Sequence, residues 1–141
     1  MRAAFEILPG DRPGTFVLRM AGSDQSHVDL HDPTRLDFAY VRRIADVLDT
    51  SAPPGEPLRV VHVGGAAMTL PRYVAATRPR SSQVVLEPEV AVTEAVRSAL
   101  PLPPRSGIRV RPVDGRRGIA ARRDGYADVV AVDAFADPRR P

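Results

Sequence analysis

The chain has 141 residues, 43% of them hydrophobic, and a formal net charge of +3. It contains no cysteine, which excludes a disulfide framework, a thiolate metal site and a cysteine nucleophile. No run of about 18 apolar residues is present and the N-terminus lacks the apolar region of a signal peptide, so no membrane span and a cytoplasmic protein are expected. The 20 basic residues are all Arg, while Lys and Asn are absent, a bias that reads as GC-rich coding. Four Phe and three Tyr are too few aromatics, and no basic run exceeds two residues, so nucleic acid is not the expected partner.

In chain order, residues 5–22 alternate apolar and polar positions around "PGDRPG", the signature of a β-hairpin. "SHVDL" (26–30) is expected to add a third strand. Residues 32–49 carry Leu36, Tyr40, Ile44, Val47 and Leu48 at helical spacing, with Asp32 as the expected N-cap and Pro33 at the first helical position. "TSAPPGEP" (50–57) forbids regular structure and reads as a linker. "LRVVHVGG" then reads as a buried strand running into Gly64-Gly65, and a helix is expected over 66–79 with Pro71 in its first turns. "SQVVLEPE" (82–89) is a second strand and 90–100 a helix. "PLPPRSG" breaks the chain, 108–114 alternates like a strand, 115–125 is a short helix or loop, and 126–136 is a fourth strand. This alternation of strand and helix predicts a parallel α/β sheet with helices on both faces.

Ligands of such sheets bind beyond the carboxyl ends of the strands, at the switch point. The first of these four strands ends at Gly64-Gly65. The other three end at Glu87, Asp114 and Asp133. A double glycine lets a ligand approach the backbone and permits positive φ, and an acid ending the next strand is placed to accept hydrogen bonds from ribose hydroxyls. A nucleoside ligand is therefore expected, with a plain tight turn as the competing explanation of the glycines. "GGAAMT" lacks the third glycine of a dinucleotide fingerprint. His27, His31 and His62 are not at metal spacing, and no metal is expected. His62 reads as a core residue, and His27 and His31, near Gln25, as residues of a solvated loop, with a substrate contact as the alternative. Arg116, Arg117, Arg122 and Arg123 read as a solvated face.

With these residues in place, the chain resembles the spermidine synthases (polyamine aminopropyltransferases), a branch of the S-adenosylmethionine-dependent methyltransferase fold. "VVHVGGAAMTLPRYV" is similar to the glycine-rich loop of that family, "VVLEPEV" to its ribose-binding Glu segment, "RPVDG" to its adenine-contacting Asp-Gly, and "DAFADP" to its catalytic loop. "DFAYVRR" is similar to the helix bearing its substrate Tyr, and Gln25 stands where the family has a Gln near the cofactor. The resemblance implies cofactor-binding roles for Gln25, Gly64, Gly65, Glu87, Asp114 and Gly115, a catalytic Asp133, and substrate contacts from Tyr40 and Asp137. It implies S-adenosylmethionine or its decarboxylated form as cofactor, without metal, and polyamine biosynthesis as the setting.

The expected organisation is an N-terminal β-strand region (1–31), a helix and linker (32–57), and a Rossmann-like nucleoside-binding domain (58–141). Where the family fold has seven strands, this chain carries four, so the first half of the fold is expected. An unpaired edge at the fourth strand would favour pairing with another chain, hence a homodimer.

Several positions depart from the family. Val41 and Arg42 stand where the family has His-Glu, and Ala66 and Ala67 replace the loop carboxylate. Two unit charges about 6 Å apart at an effective dielectric of about 20 repel by roughly 3 kcal/mol, so Arg42 is expected to weaken a diamine in the amine pocket, with an Arg42 that points to solvent and carries no such penalty as the alternative. Three readings stay open: aminopropyl transfer to an amine, methyl transfer to a different acceptor, and a non-catalytic nucleoside-binding homologue.

Overall fold

The computed structural model describes residues 4–133. Asp137 and the end of the expected strand 126–136 lie outside the described residues. Three strands form an antiparallel sheet in the order β1-β2-β3: β1 (Phe5–Pro9), β2 (Thr15–Met20) and β3 (Ser23–Asp29). The hairpin is the one read from "PGDRPG", with Phe5 opposite Met20 and Pro9 opposite Phe16. One face of this sheet buries Leu18 and Val28 against Val92, Val96 and Leu100.

Helix α1 (Ala39–Thr50) begins seven residues after Asp32, not at the expected cap. The Asp32 carboxylate instead accepts the amide and hydroxyl of Thr34, and Arg35 N–H closes a turn onto the Asp32 carbonyl. The carbonyls of Leu36 and Asp37 are taken by the Arg42 guanidinium, at 3.1 and 2.9 Å. Those bonds hold the 32–38 segment open, with Phe38 extended as the N-cap.

The second sheet is parallel, in the order β6-β5-β4-β7. Its strands are β4 (Arg59–Val63), β5 (Ser82–Leu86), β6 (Ile108–Arg111) and β7 (Val129–Val132), joined by α2 (Thr69–Thr77), α3 (Val90–Ala99) and α4 (Gly115–Ala120). Alternation along the strands fills both faces. Val60 packs with Leu70 and Val74 of α2, while Val61, Val84 and Leu86 pack with Val63, Val113 and Tyr126. On that second face, a Cβ at Gly118 of α4 would collide with Leu86. Helices therefore cover both faces of a mixed α/β, partial Rossmann-like fold, as expected from the strand–helix alternation.

Strand β7 starts later than expected because residues 123–126 form a turn, with Tyr126 N–H bonded to the Arg123 carbonyl. The Asp128 carboxylate then pins the strand by accepting the Arg59 amide at 2.8 Å. Val130 and Val132 are 49% and 63% exposed, and they share an apolar groove with Ile44 and Val47 of α1.

Two buried arginines on or just after α2 hold the layers together. Arg78, 3% exposed, donates to the carbonyls of Leu48, Asp49, Ala52, Pro53 and Glu56, so one guanidinium caps the C-terminus of α1 and staples the 50–57 linker. No carboxylate is needed, since the carbonyls at a helix C-terminus carry partial negative charge. Arg72, 4% exposed, donates to the carbonyls of Ala67, Leu100 and Pro101. Its burial draws its pKa down to about 10. No helix among the described residues is long and apolar enough to cross a membrane.

Candidate functional site

The chain runs β4, β5, β6 in one direction and then returns to place β7 on the opposite side of β4. The crevice between β4 and β7 is therefore the switch point of the sheet. The strand ends are in register there. Gly64 N–H bonds the Leu86 carbonyl, Glu87 N–H that of Arg111, and Asp133 N–H that of Val63, at 2.9, 3.0 and 2.9 Å. Gly64, Gly65, Glu87, Asp114, Gly115 and Asp133 consequently lie along one edge of the sheet.

The glycines have backbone reasons. Gly64 has φ +84°, in the region that favours glycine. Gly65 is squeezed from beneath: a Cβ there would lie 2.5 Å from Cγ1 of the core residue Val85. The loop continues with Ala66 and Met68 also at positive φ, +46° and +65°. That geometry delays α2 to Thr69, against the expected start at Ala66. Pro71 falls in its first turn, where a missing N–H costs nothing.

Glu87 lies against this loop. Its Oε1 accepts the amides of Gly65 and Ala66, both at 3.2 Å, and its Oε2 accepts the Glu89 amide at 3.1 Å. A carboxylate offers about four lone-pair sites, so three are taken and Oε2 retains room for a hydroxyl donor. Asp114 caps α4 by accepting the Arg117 amide at 2.9 Å, and a Cβ at Gly115 would collide with Val63.

On the other side of the crevice, the structure brings together residues far apart in sequence. A small cavity is lined by Gln25, His27, Asp37, Phe38, Tyr40 and Asp133, among others. The Tyr40 hydroxyl hydrogen-bonds the Asp133 carboxylate and also points at the Gln25 carbonyl, 3.5 Å away. Burial lifts the Asp133 carboxyl to about 6, and the Tyr40 bond offsets part of that rise. Burial, together with the Asp133 charge, also raises the Tyr40 phenol above its ordinary range. Asp133 Oδ1 is buried and has no hydrogen-bond partner among the described residues. Arg42 does not line the cavity. Its guanidinium is exposed and held by the Leu36 and Asp37 carbonyls, which corrects the expectation that it faces an amine.

The histidines sort differently. His62 is a core residue as expected: 1% exposed, with Nε2 2.6 Å from Gln83 Oε1 and its pKa lowered to about 4 by burial. His27 is not in a solvated loop. It sits in β3, 4% exposed, with Asp11 Oδ1 3.8 Å from its Nε2. Sequence reasoning also passed over Ser26 and Arg72, which hold the glycine loop through Ala67; a polar residue flanking Gln25 and an Arg one turn into an apolar helix were the available signals. Among the described residues, no cluster of three or more His, Asp or Glu could hold a metal ion.

Scans against protein-family models and curated proteins found no match. Among solved structures, the chain is similar to a probable spermidine synthase from Corynebacterium glutamicum ATCC 13032, with a TM-score of 0.83 and 27% sequence identity. The match covers 99% of this chain and 51% of that one, so this chain spans about half the length of its neighbour.

Proposed function

We propose that the chain carries the nucleoside-binding half of a spermidine synthase-like transferase that uses decarboxylated S-adenosylmethionine to alkylate an amine. The observation that carries this reading is the pairing of Asp133 with Tyr40 beside the glycine loop. A buried carboxylate oxygen with no partner among the described residues is held at the switch point, with β4 lying between it and Glu87. The similarity to a probable spermidine synthase supports the same reading.

The donor set suits the ligand. Glu87 has acceptor capacity left for a ribose hydroxyl, and Asp133 presents an acceptor for an ammonium hydrogen. When bound, an adenosyl sulfonium supplies an electrophilic carbon with a neutral thioether as leaving group. Asp133, more basic than an ordinary carboxylate, accepts a proton from the acceptor ammonium and frees the nitrogen lone pair for in-line attack. Tyr40 fixes the carboxylate so that little orientation is left to be paid during the reaction.

Uncharged Ala66 and Ala67 favour a second reading, methyl transfer from S-adenosylmethionine itself, because the loop carries no negative charge to repel a methionine carboxylate. Calorimetric titration of the full chain with each sulfonium separates the two. Tighter binding of the decarboxylated form supports aminopropyl transfer, tighter binding of S-adenosylmethionine supports methyl transfer, and no binding of either refutes both.

A further inference from the structure

The loop that ends β4 is held in an uncommon shape. Gly64, Ala66 and Met68 all sit at positive φ, and alanine and methionine adopt that region only when their surroundings over-determine it. The surroundings do so from three directions. Glu87 takes the amides of Gly65 and Ala66. Ser26 Oγ of β3 accepts the Ala67 amide at 3.3 Å. Arg72 Nε donates to the Ala67 carbonyl at 3.0 Å, while its other nitrogens bond Leu100 and Pro101 after α3. Ser26, Ala67 and Arg72 are all buried, at 6%, 1% and 4% exposure, so water cannot substitute for these bonds. Thr69 adds a link by donating its hydroxyl to the His27 carbonyl at 3.0 Å.

We propose that Ser26 and Arg72 are positioning residues that clamp the two polar groups of Ala67 and thereby hold the Gly64–Met68 loop in the shape that receives the nucleoside. Arg72 does not line the cavity, and Ser26, which does, acts on the loop through its bond to the Ala67 amide. Through Ser26 the N-terminal sheet becomes part of the binding apparatus, because its third strand supplies the acceptor for a loop amide. Through Arg72 the same loop is tied to the C-terminal end of α3. The loop's geometry is thus set by two segments distant in sequence, and losing either tie releases strain stored at Ala66 and Met68. The consequence for ligand affinity rests on the nucleoside-binding reading above; the clamp itself does not.

The test uses the full chain with four variants: Ser26→Ala and its conservative partner Ser26→Thr, and Arg72→Met and its partner Arg72→Lys. Amide hydrogen exchange of residues 65–68 is read alongside global unfolding and the affinity for decarboxylated S-adenosylmethionine. Ser26→Ala should speed exchange at Ala67 and its neighbours by about tenfold and weaken the ligand by roughly fivefold, the loss of one buried hydrogen bond. Ser26→Thr should restore both, and Arg72→Lys should recover part of what Arg72→Met loses. Should Arg72→Met fail to fold, Ser26→Ala and Ser26→Thr decide the question. Loop exchange that stays at wild-type rates in Ser26→Ala, or that changes only in proportion to global stability, overturns the clamp. A wild-type protein that binds no sulfonium but shows the exchange pattern keeps the clamp and refutes the functional reading.

Discussion

Replacing Asp133 by Asn should separate the stability of this protein from its chemistry. The Asp133 carboxyl is lifted from its ordinary value of 3.8 to about 6, chiefly because burial penalises its ionised form. At neutral pH the folded protein holds that charge at a cost of about 3 kcal/mol at most. Partial wetting of the carboxylate trims this to about 1–2 kcal/mol. Because the folded pKa is raised, the destabilisation is absent below about pH 4, where both folded and unfolded forms are protonated. It grows as pH rises towards about 6 and is complete above that. The difference in unfolding free energy between Asp133→Asn and wild type should therefore climb by about 1–2 kcal/mol from pH 4 to pH 7. An amide NH2 in place of one oxygen adds only a constant offset. Urea unfolding of both proteins across pH 3.5–7.5 reads the difference directly. A flat difference curve, or one that falls with pH, refutes the claim that Asp133 is a buried, strained carboxylate. On the proposed function, aminopropyl transfer should be lost in the same variant, and wild-type transfer should rise with pH through about 6 as the carboxylate ionises.

Further expectations follow from the same geometry. Glu87→Ala should weaken a bound adenosyl ligand by about 1.5–3 kcal/mol, the range for a hydrogen bond to a charged group, as read by calorimetry; unchanged affinity would remove Glu87 from the ribose site. Arg78→Met strips five carbonyls of their shared donor, and should cost about 3 kcal/mol in chemical denaturation. Gly65→Ala should cost about 1–3 kcal/mol by collision with Val85, and combining it with Val85→Ala should cost less than the two single changes added together. Arg42→Ala should leave the KM for a diamine within about threefold, since that guanidinium is exposed, tied to the Leu36 and Asp37 carbonyls, and does not line the cavity; a large gain in amine affinity would show that it reaches the pocket after all.

The local pattern of residues was enough for the order of elements and the edge on which the site lies. Short valine-rich runs such as "RVVHV" and "QVVL", bounded by Pro, Gly and Ser, read as strands covered on both faces, and the acids and glycines that follow them fall at the strand ends wherever the strands pair in parallel. Element starts were less legible, because competing polar contacts decide them. Asp32 looks like a cap, but its carboxylate is claimed by Thr34, and Arg42 takes the carbonyls that a longer helix would need. What tertiary structure alone decided is who meets whom. That β7 lies beside β4 is a matter of sheet order, which no window of sequence encodes, and it sets Asp133 against Tyr40 and lifts its carboxyl by burial. The same holds for Arg72 and Arg78. Each reads as an ordinary charged position, and each is buried because carbonyls from segments more than 20 residues away converge on it. Desolvation depends on the packed neighbourhood in three dimensions, so it becomes visible only once the layers are assembled.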